Sequence, residues 1–538
     1  FLIGVMIQTV QALPSAFIFR DGWHSFIADD SLWHLGLTGE LTRHMPPFQP
    51  GSIGMPLKNY HYLANLFSAD VTRVFGLPLL VSQFFFTYIL LSAMLGLLLF
   101  VLGRMAGLSM LGATLLMYLQ YFASDIIYLI PLWTRHVIDF TVHPLEDGTM
   151  FLENPPRAFA SVFTVLGIIM LYQTVRSKRV WPGILTGIVF GIIIGCKIHS
   201  GIMVLLGLAG FGVYALVKKQ WFLLWPPLIA LVISVIIYFP TNAGAGGPVF
   251  ASFEMARMFA AQPGLAISFL ELRRQIYAAH NNGIRVLEMN MIMLVLFYIA
   301  QFGFRTIGWF GWKYAGRSFG TGVSVFLVTA LIGTTVFATL FIQPVTYADI
   351  FNSYLAVSVV LSILTALIVE RMLRNRSQAF KMIIIVFVGL LTLPRIVYRM
   401  DQFIRQISHS RPFIPTAEIQ TMDFVRRSIK SGGVIYVFNA GQTDGYASYV
   451  SALTGYDTFL SGQNYLSRHA VDYKAKQQIA DIIATGSDPN IVGTLLKQYN
   501  IGILYAYKPF VMPEGLAGLG LRKVFENGTN ILFTYEHK

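Results

Sequence analysis

The feature that most limits what this chain can fold into is a series of eleven apolar runs, at about 1–19, 78–102, 107–123, 158–173, 181–198, 199–217, 221–240, 287–304, 320–342, 351–369 and 382–399. Each approaches the roughly 20 residues a helix needs to cross the hydrocarbon layer. Inside that layer every backbone polar group must be satisfied within its own element, so long apolar runs imply helices. Charged residues make up 12% of the chain, about half the ~25% of a soluble domain. The mean hydropathy is +0.61. The single cysteine, Cys196, excludes an internal disulfide framework or a cysteine metal cluster. Residues 2–19 carry no small-residue cleavage site before Arg20-Asp21, so this stretch reads as a retained span rather than a signal-peptide remnant.

The net charge of +13 raises the question of nucleic acid, and its distribution answers it. On one side of the spans the connections carry Arg104; Arg176, Lys178 and Arg179; Lys218 and Lys219; Arg305, Lys313 and Arg317; and Arg371, Arg374, Arg376 and Lys381. These thirteen basic residues face one acid, Glu370. An excess confined to one face is the positive-inside pattern, which makes that face cytoplasmic and leaves no need for a nucleic-acid partner. The N-terminus is then cytoplasmic, and the long loops and the C-terminal region face outward from the plasma (inner) membrane of a prokaryote.

Polar sequence concentrates in those outer loops. From Arg20 to His61 the chain holds two adjacent carboxylates, Asp29 and Asp30, with His24, His34, His44, Lys58, His61, Trp23 and Trp33. Asp30 to Arg43 reads as a helix lying along the membrane, ended by Pro46, Pro47, Pro50 and Gly51. Tyr60 to Phe75 reads as a second interfacial helix with an aromatic face. The second outer loop, 124–157, is rich in turn residues and carries Asp139, Glu146, Asp147 and Glu153. In Gly-Cys-Lys-Ile-His-Ser-Gly, Lys197 and His199 fall where two runs meet. They are either a lysine reaching for the interface beside a turn histidine, or a cationic contact for an anionic headgroup.

The first 400 residues thus form a transmembrane domain. From about residue 401 the composition is that of a soluble domain, with 13 basic and 11 acidic residues. Amphipathic helices are expected at 416–430 and 469–485, and another begins at Asp488-Pro489, an N-cap followed by proline. Strands are expected at 434–438 and 501–507, with a terminal hairpin across Gly528. This order marks residues 401–538 as an extracytoplasmic α/β domain. The fold class is therefore a polytopic α-helical membrane protein of about eleven transmembrane helices with a C-terminal α/β domain.

An outward carboxylate with cations around it fits transfer of a sugar from a polyprenyl phosphate. An ionised Asp29 or Asp30 would serve as base, and Lys58, His61, Lys197 and His199 would supply positive charge to the departing phosphate. The motifs also carry a resemblance. Ala-Asp-Asp-Ser-Leu-Trp-His (28–34) and Pro-Leu-Lys-Asn-Tyr-His-Tyr (56–62) resemble the first-loop acidic motif and the Lys-Pro-Pro-Leu-Tyr-Tyr pattern of the GT-C superfamily of integral-membrane glycosyltransferases. Asn59 and Tyr60 replace that pattern's prolines. The resemblance implies a lipid-linked sugar donor, an acceptor protein, glycan or lipid, and catalysis in the outer loops. It also implies a second-loop acid, from Asp139, Glu146, Asp147 or Glu153, that in some members holds a divalent cation such as Mg or Mn.

Alternatives stand beside each assignment. Asp29 or Asp30 could simply cap the following helix. His34, four residues after Asp30, could orient it or ligate a metal. Trp23 and Trp33 fit interfacial anchors as well as sugar platforms. For the whole chain the competing readings are a transporter or flippase, and a catalytically inactive scaffold subunit with the same fold.

Overall fold

The computed structural model describes residues 1–24, 30–142, 154–242, 244, 247–343, 347–409, 413–429, 433–438 and 448–536. Asp29, Glu146, Asp147 and Glu153 lie outside the described residues, and of Asp30 only the backbone is described.

The chain divides into two compact units. The first comprises Phe1–Gln8, Ile89–Phe239 and Gly246–Arg405, and the second Thr9–Tyr88, Pro240–Ala245 and Gln406–Lys538. The first long polar loop therefore belongs to the same unit as the C-terminal region.

Eight described helices are long and apolar enough to cross a bilayer: Leu79–Met105, Pro155–Ser177, Ile198–Val217, Trp221–Asn242, Gly283–Phe310, Thr321–Leu340, Phe351–Leu373 and Gln378–Arg405. Met110–Phe122 and Val180–Cys196 are shorter apolar helices. Ten of the eleven apolar runs thus become helices, while the first is divided between Leu2–Val10 and Leu13–Ala16, where Pro14 restarts the chain. Phe351–Leu373 is buried almost throughout and forms the centre of the first unit, against Met110–Phe122, Ile198–Val217 and Thr321–Leu340. Small residues allow the close approaches. A β-carbon on Gly187 or Gly191 would meet Ile229 or Ile233 at 2.6 Å, which is how helices pack in a solvent no more polar than their side chains.

One buried ion pair stands out in this unit. Arg395 Nε lies 3.3 Å from Asp125 Oδ2, neither side chain having any exposure. The same guanidinium donates to the carbonyls of Phe140 and Val142, which fixes the middle of the second long loop.

The second unit contains a four-stranded sheet of β1 (Val434–Val437), β2 (Ile501–Tyr507), β3 (Arg522–Glu526) and β4 (Asn530–Thr534), in the order β1-β2-β4-β3. The β1–β2 pair is parallel and the other pairs are antiparallel. Helices Lys474–Thr485 and Pro489–Gln498 cover one face over a core including Ile483, Val492, Leu496, Ile501 and Leu504. Asp488 caps its helix as expected, its carboxylate accepting from Asn490 N at 2.8 Å. The sequon-like Asn527-Gly528-Thr529 is the hairpin turn. Asn527 Nδ2 donates to Ala417 O and Thr421 Oγ1, so that amide serves the fold.

Three helices of this unit matter for the site: α1 (Asp30–Leu41), α2 (Leu63–Phe75) and α3 (Ser448–Thr454). The expected helix forms at Asp30–Leu41, but its faces are covered by the protein. Residues 31–41 are all buried, with α2 on one side of α1 and α3 on another. The alternation of polar and apolar positions suited an interfacial helix. What closes its polar side is a segment more than 400 residues downstream.

Candidate functional site

Four of the proposed residues that are described, Asp30, His34, Lys58 and His61, lie in the second unit. Asp30 opens α1, and His34 is one turn on. His34 is 1% exposed, with Nδ1 3.3 Å from Asn65 Oδ1 on α2 and Nε2 3.5 Å from the Tyr60 hydroxyl. Asn65 Nδ2 donates to the His34 carbonyl and to Thr38 Oγ1, so the α1–α2 contact is hydrogen-bonded along one full turn. This network fixes the helix that begins at Asp30.

Trp33 is buried and faces the C-terminal region. Its ring is stacked on Tyr465 at 5.5 Å and meets Tyr60 at 4.1 Å and His469 at 5.1 Å. Such contacts hold packing in place. A tryptophan 3% exposed neither anchors an interface nor stacks a sugar, and Trp23 at 0% is likewise internal, its indole donating to Ser15 O at 2.8 Å. Both are core residues, which corrects the anchor and platform readings alike. His61 is buried and stacked on Tyr60 at 4.3 Å, whereas Lys58 is exposed. Between them Asn59 adopts a left-handed φ of 57° and donates its side-chain amide to His469 O. Lys58 is thus displayed from a loop held firmly at the next residue.

The other proposed residues that are described, Lys197, His199 and Asp139, lie in the first unit. Pro155–Ser177 and Val180–Cys196 pack as a hairpin, and Ile198–Val217 turns back at Lys197. The N-terminal end of the first helix, carrying Arg157, therefore shares one end of the bundle with Lys197 and His199. Lys197 is extended (φ −151°, ψ 117°) and stands at the N-cap of Ile198–Val217 without capping it by a side-chain hydrogen bond. It is 7% exposed, which excludes a lysine reaching out into solvent, and His199 is 6% exposed. Neither His199 ring nitrogen has a hydrogen-bond partner among the described residues. The first-turn amides of a helix also lack intrahelical partners, and the helix dipole makes that end positive. A buried ammonium, an unpartnered buried imidazole and an uncapped helix N-terminus together make an anion-receptive group.

Asp139, the described one of the four second-loop candidates, has both oxygens engaged. Oδ2 takes Arg135 Nη2 at 2.8 Å, and Oδ1 takes Thr141 N at 2.9 Å together with its hydroxyl. The Thr141 hydrogen bond and the Arg135 guanidinium hold this carboxyl below its usual range.

No protein-family model matches the chain, and no curated protein matches it. Solved structures do. An oligosaccharyltransferase of Archaeoglobus fulgidus, determined with zinc and sulfate, aligns at a TM-score of 0.50 and 13% identity, over 94% of this chain and 67% of that one. The chain has the GT-C fold. The same archaeal enzyme tethered to an acceptor peptide with an NVT sequon aligns at 0.49 and 12% identity, over 94% and 69% of the two chains. ArnT of Cupriavidus metallidurans bound to undecaprenyl phosphate covers 99% of this chain and 96% of its own at 0.39 and 12% identity.

Several residues of the site carried no local signal. Asn65 looks like any polar residue of an amphipathic helix, and Tyr465 and His469 lie far from the acidic motif in sequence. Arg157 is legible only as a charge immediately after two prolines. Its burial at 4% is a tertiary fact.

Proposed function

We propose that this protein is a glycosyltransferase that moves a sugar from a polyprenyl-phosphate donor to an acceptor at the outer face of a prokaryotic plasma membrane. Asp29 or Asp30 takes the acceptor's proton as the new glycosidic bond forms. Lys197, His199, Lys58 and His61 stabilise the negative charge that develops on the departing phosphate. A divalent cation, if used, is held by second-loop acids, for which Glu146, Asp147 and Glu153 are the candidates beside the already engaged Asp139.

The observation that carries this reading is the group at the start of Ile198–Val217. Lys197 and His199 are buried at an uncapped helix end, and neither His199 nitrogen has a hydrogen-bond partner among the described residues. Leaving the buried His199 imidazole unmatched is costly, and a lipid phosphate is an anion a membrane enzyme meets. The GT-C fold and the twofold acidic motif at the head of α1 agree with it.

The test is transfer from a radiolabelled polyprenyl-phosphate sugar by the chain in nanodiscs. Asp29→Asn/Asp30→Asn is expected to abolish transfer while donor binding persists. Lys197→Met and His199→Asn are expected to raise the donor KM. Full transfer by the double aspartate variant would refute the assigned chemistry. Uptake into vesicles with no glycosyl product would favour transport.

A further inference from the structure

Beyond the residues assigned to transfer, three donors from two separated parts of the second unit meet at the far end of α1. Glu40 is its penultimate residue, His44 stands one turn further on, and Asp457 follows α3. One ligand atom from each lies within 4.8 Å of the others. His44 Nε2 is 3.1 Å from Asp457 Oδ2 and 3.8 Å from Glu40 Oε1.

Arg43 occupies the opposite side of both carboxylates. Its Nη2 is 2.9 Å from Glu40 Oε2 and its Nε is 3.1 Å from Asp457 Oδ1. It is itself held by the carbonyl and hydroxyl of Ser451. Glu40 thus gives one oxygen to Arg43 and turns the other toward His44, while His44 Nε2 reaches both Asp457 oxygens, at 3.1 Å from Oδ2 and 3.2 Å from the Oδ1 that Arg43 holds. Glu40 Oε1 is buried and has no hydrogen-bond partner among the described residues, on a side chain only 3% exposed. A carboxylate oxygen so far from water is costly to leave unmatched.

We infer that Glu40 Oε1, His44 Nε2 and Asp457 Oδ2 form a binding site for a divalent transition ion of the zinc or manganese class. An ion about 2.1 Å from tetrahedrally arranged ligands holds them roughly 3.4 Å apart, and the two spacings above fall on either side of that value. One imidazole nitrogen with two carboxylate oxygens suits such ions better than calcium or magnesium, which favour all-oxygen shells. Arg43 acts from behind the ligands, orienting both carboxylates and cancelling one negative charge. The ion ties the end of α1 to the turn at Asp457. The next residue, Thr458, bridges Ile435 of β1 and accepts a hydrogen bond from Ile53 N. The competing occupant is a proton on His44 Nε2, which uses the same lone pair. The inference is independent of the transfer chemistry.

The test uses the full chain in nanodiscs, stripped by chelator and titrated with Zn2+ or Co2+. One tight equivalent is expected in wild type and in Asp29→Asn/Asp30→Asn, and it is lost in His44→Gln and in Asp457→Asn. Zn2+ should raise the unfolding midpoint of stripped wild type and leave His44→Gln unmoved. Co2+ should give wild type a visible ligand-field band that His44→Gln lacks. An unchanged midpoint and no Co2+ band in stripped wild type would overturn the site, with no need of a variant that folds. Equal stoichiometry in wild type and both single variants would also overturn it.

Discussion

Gly39→Ala tests how α1 is held. A β-carbon on Gly39 would lie 2.8 Å from Ala452 Cα, 3.0 Å from Ala452 Cβ and 3.4 Å from Leu79 Cδ2. Carbon atoms in contact prefer about 3.5–4.0 Å, so α1 and α3 must part by about 1 Å. The nearest atom is backbone and cannot rotate away. Overpacking of this kind costs ~1–3 kcal/mol, toward the upper end where backbone must shift. Alanine returns ~1 kcal/mol through its helix propensity. The net expectation is destabilisation by about 1–2 kcal/mol, a fall of about 4 °C in the midpoint for a unit of this size. Because α1 begins at Asp30, the displacement should also weaken transfer, and a misplacement of about 1 Å can cost ~100-fold. Tryptophan fluorescence during heating measures the first effect and the radiolabel assay the second. Ala452→Gly in the same chain relieves the 3.0 Å contact and should restore part of both, with a coupling above ~0.5 kcal/mol. A Gly39→Ala chain with a raised midpoint, or strict additivity with Ala452→Gly, would refute the tight contact.

Arg395→Met leaves Asp125 buried without its cation and should cost ~3–5 kcal/mol; Asp125→Asn in that background should recover much of it, as read by thermal unfolding. Lys476, whose ammonium donates to Ile53 O and lies 4.8 Å above the Phe459 ring, is pushed down to about 8 by burial. Its folded value is below its unfolded one, so the unfolded chain binds the proton more tightly and stability should rise with pH from about 8 to the ordinary lysine range; Lys476→Met should flatten that slope. Glu418 accepts from Tyr449, Tyr505 and Tyr507, and burial raises its carboxyl despite those bonds. Stability should therefore fall as pH rises out of the ordinary glutamate range, and Glu418→Gln should remove that component from the wild-type-minus-variant midpoint difference.

The sequence was most informative where the environment imposes a single rule. Hydrocarbon requires every backbone group to be bonded internally, which a long continuous apolar run achieves as a helix, so ten of the eleven apolar runs could be placed before any contact was known. The exception, residues 1–19, fails through Pro14, a local effect that hydropathy alone does not register. In the C-terminal region the Asp488-Pro489 start and the hairpin across Gly528 were also legible, because caps and turns are settled by neighbouring residues.

What tertiary structure decided is which polar residues face water and which face each other. Trp33 and α1 have the pattern of an interfacial helix until α3 and Tyr465 cover them. Arg43 reads as a helix-end cation until Asp457, more than 400 residues away in sequence, appears beside it. Burial and charge pairing depend on what arrives from distant sequence, and no local pattern encodes the arrival. The acidic motif and the Gly-Cys-Lys-Ile-His-Ser-Gly turn were visible as chemistry in the sequence alone. That Lys197 and His199 are withdrawn from water at an uncapped helix end is a matter of packing, and only the fold could decide it.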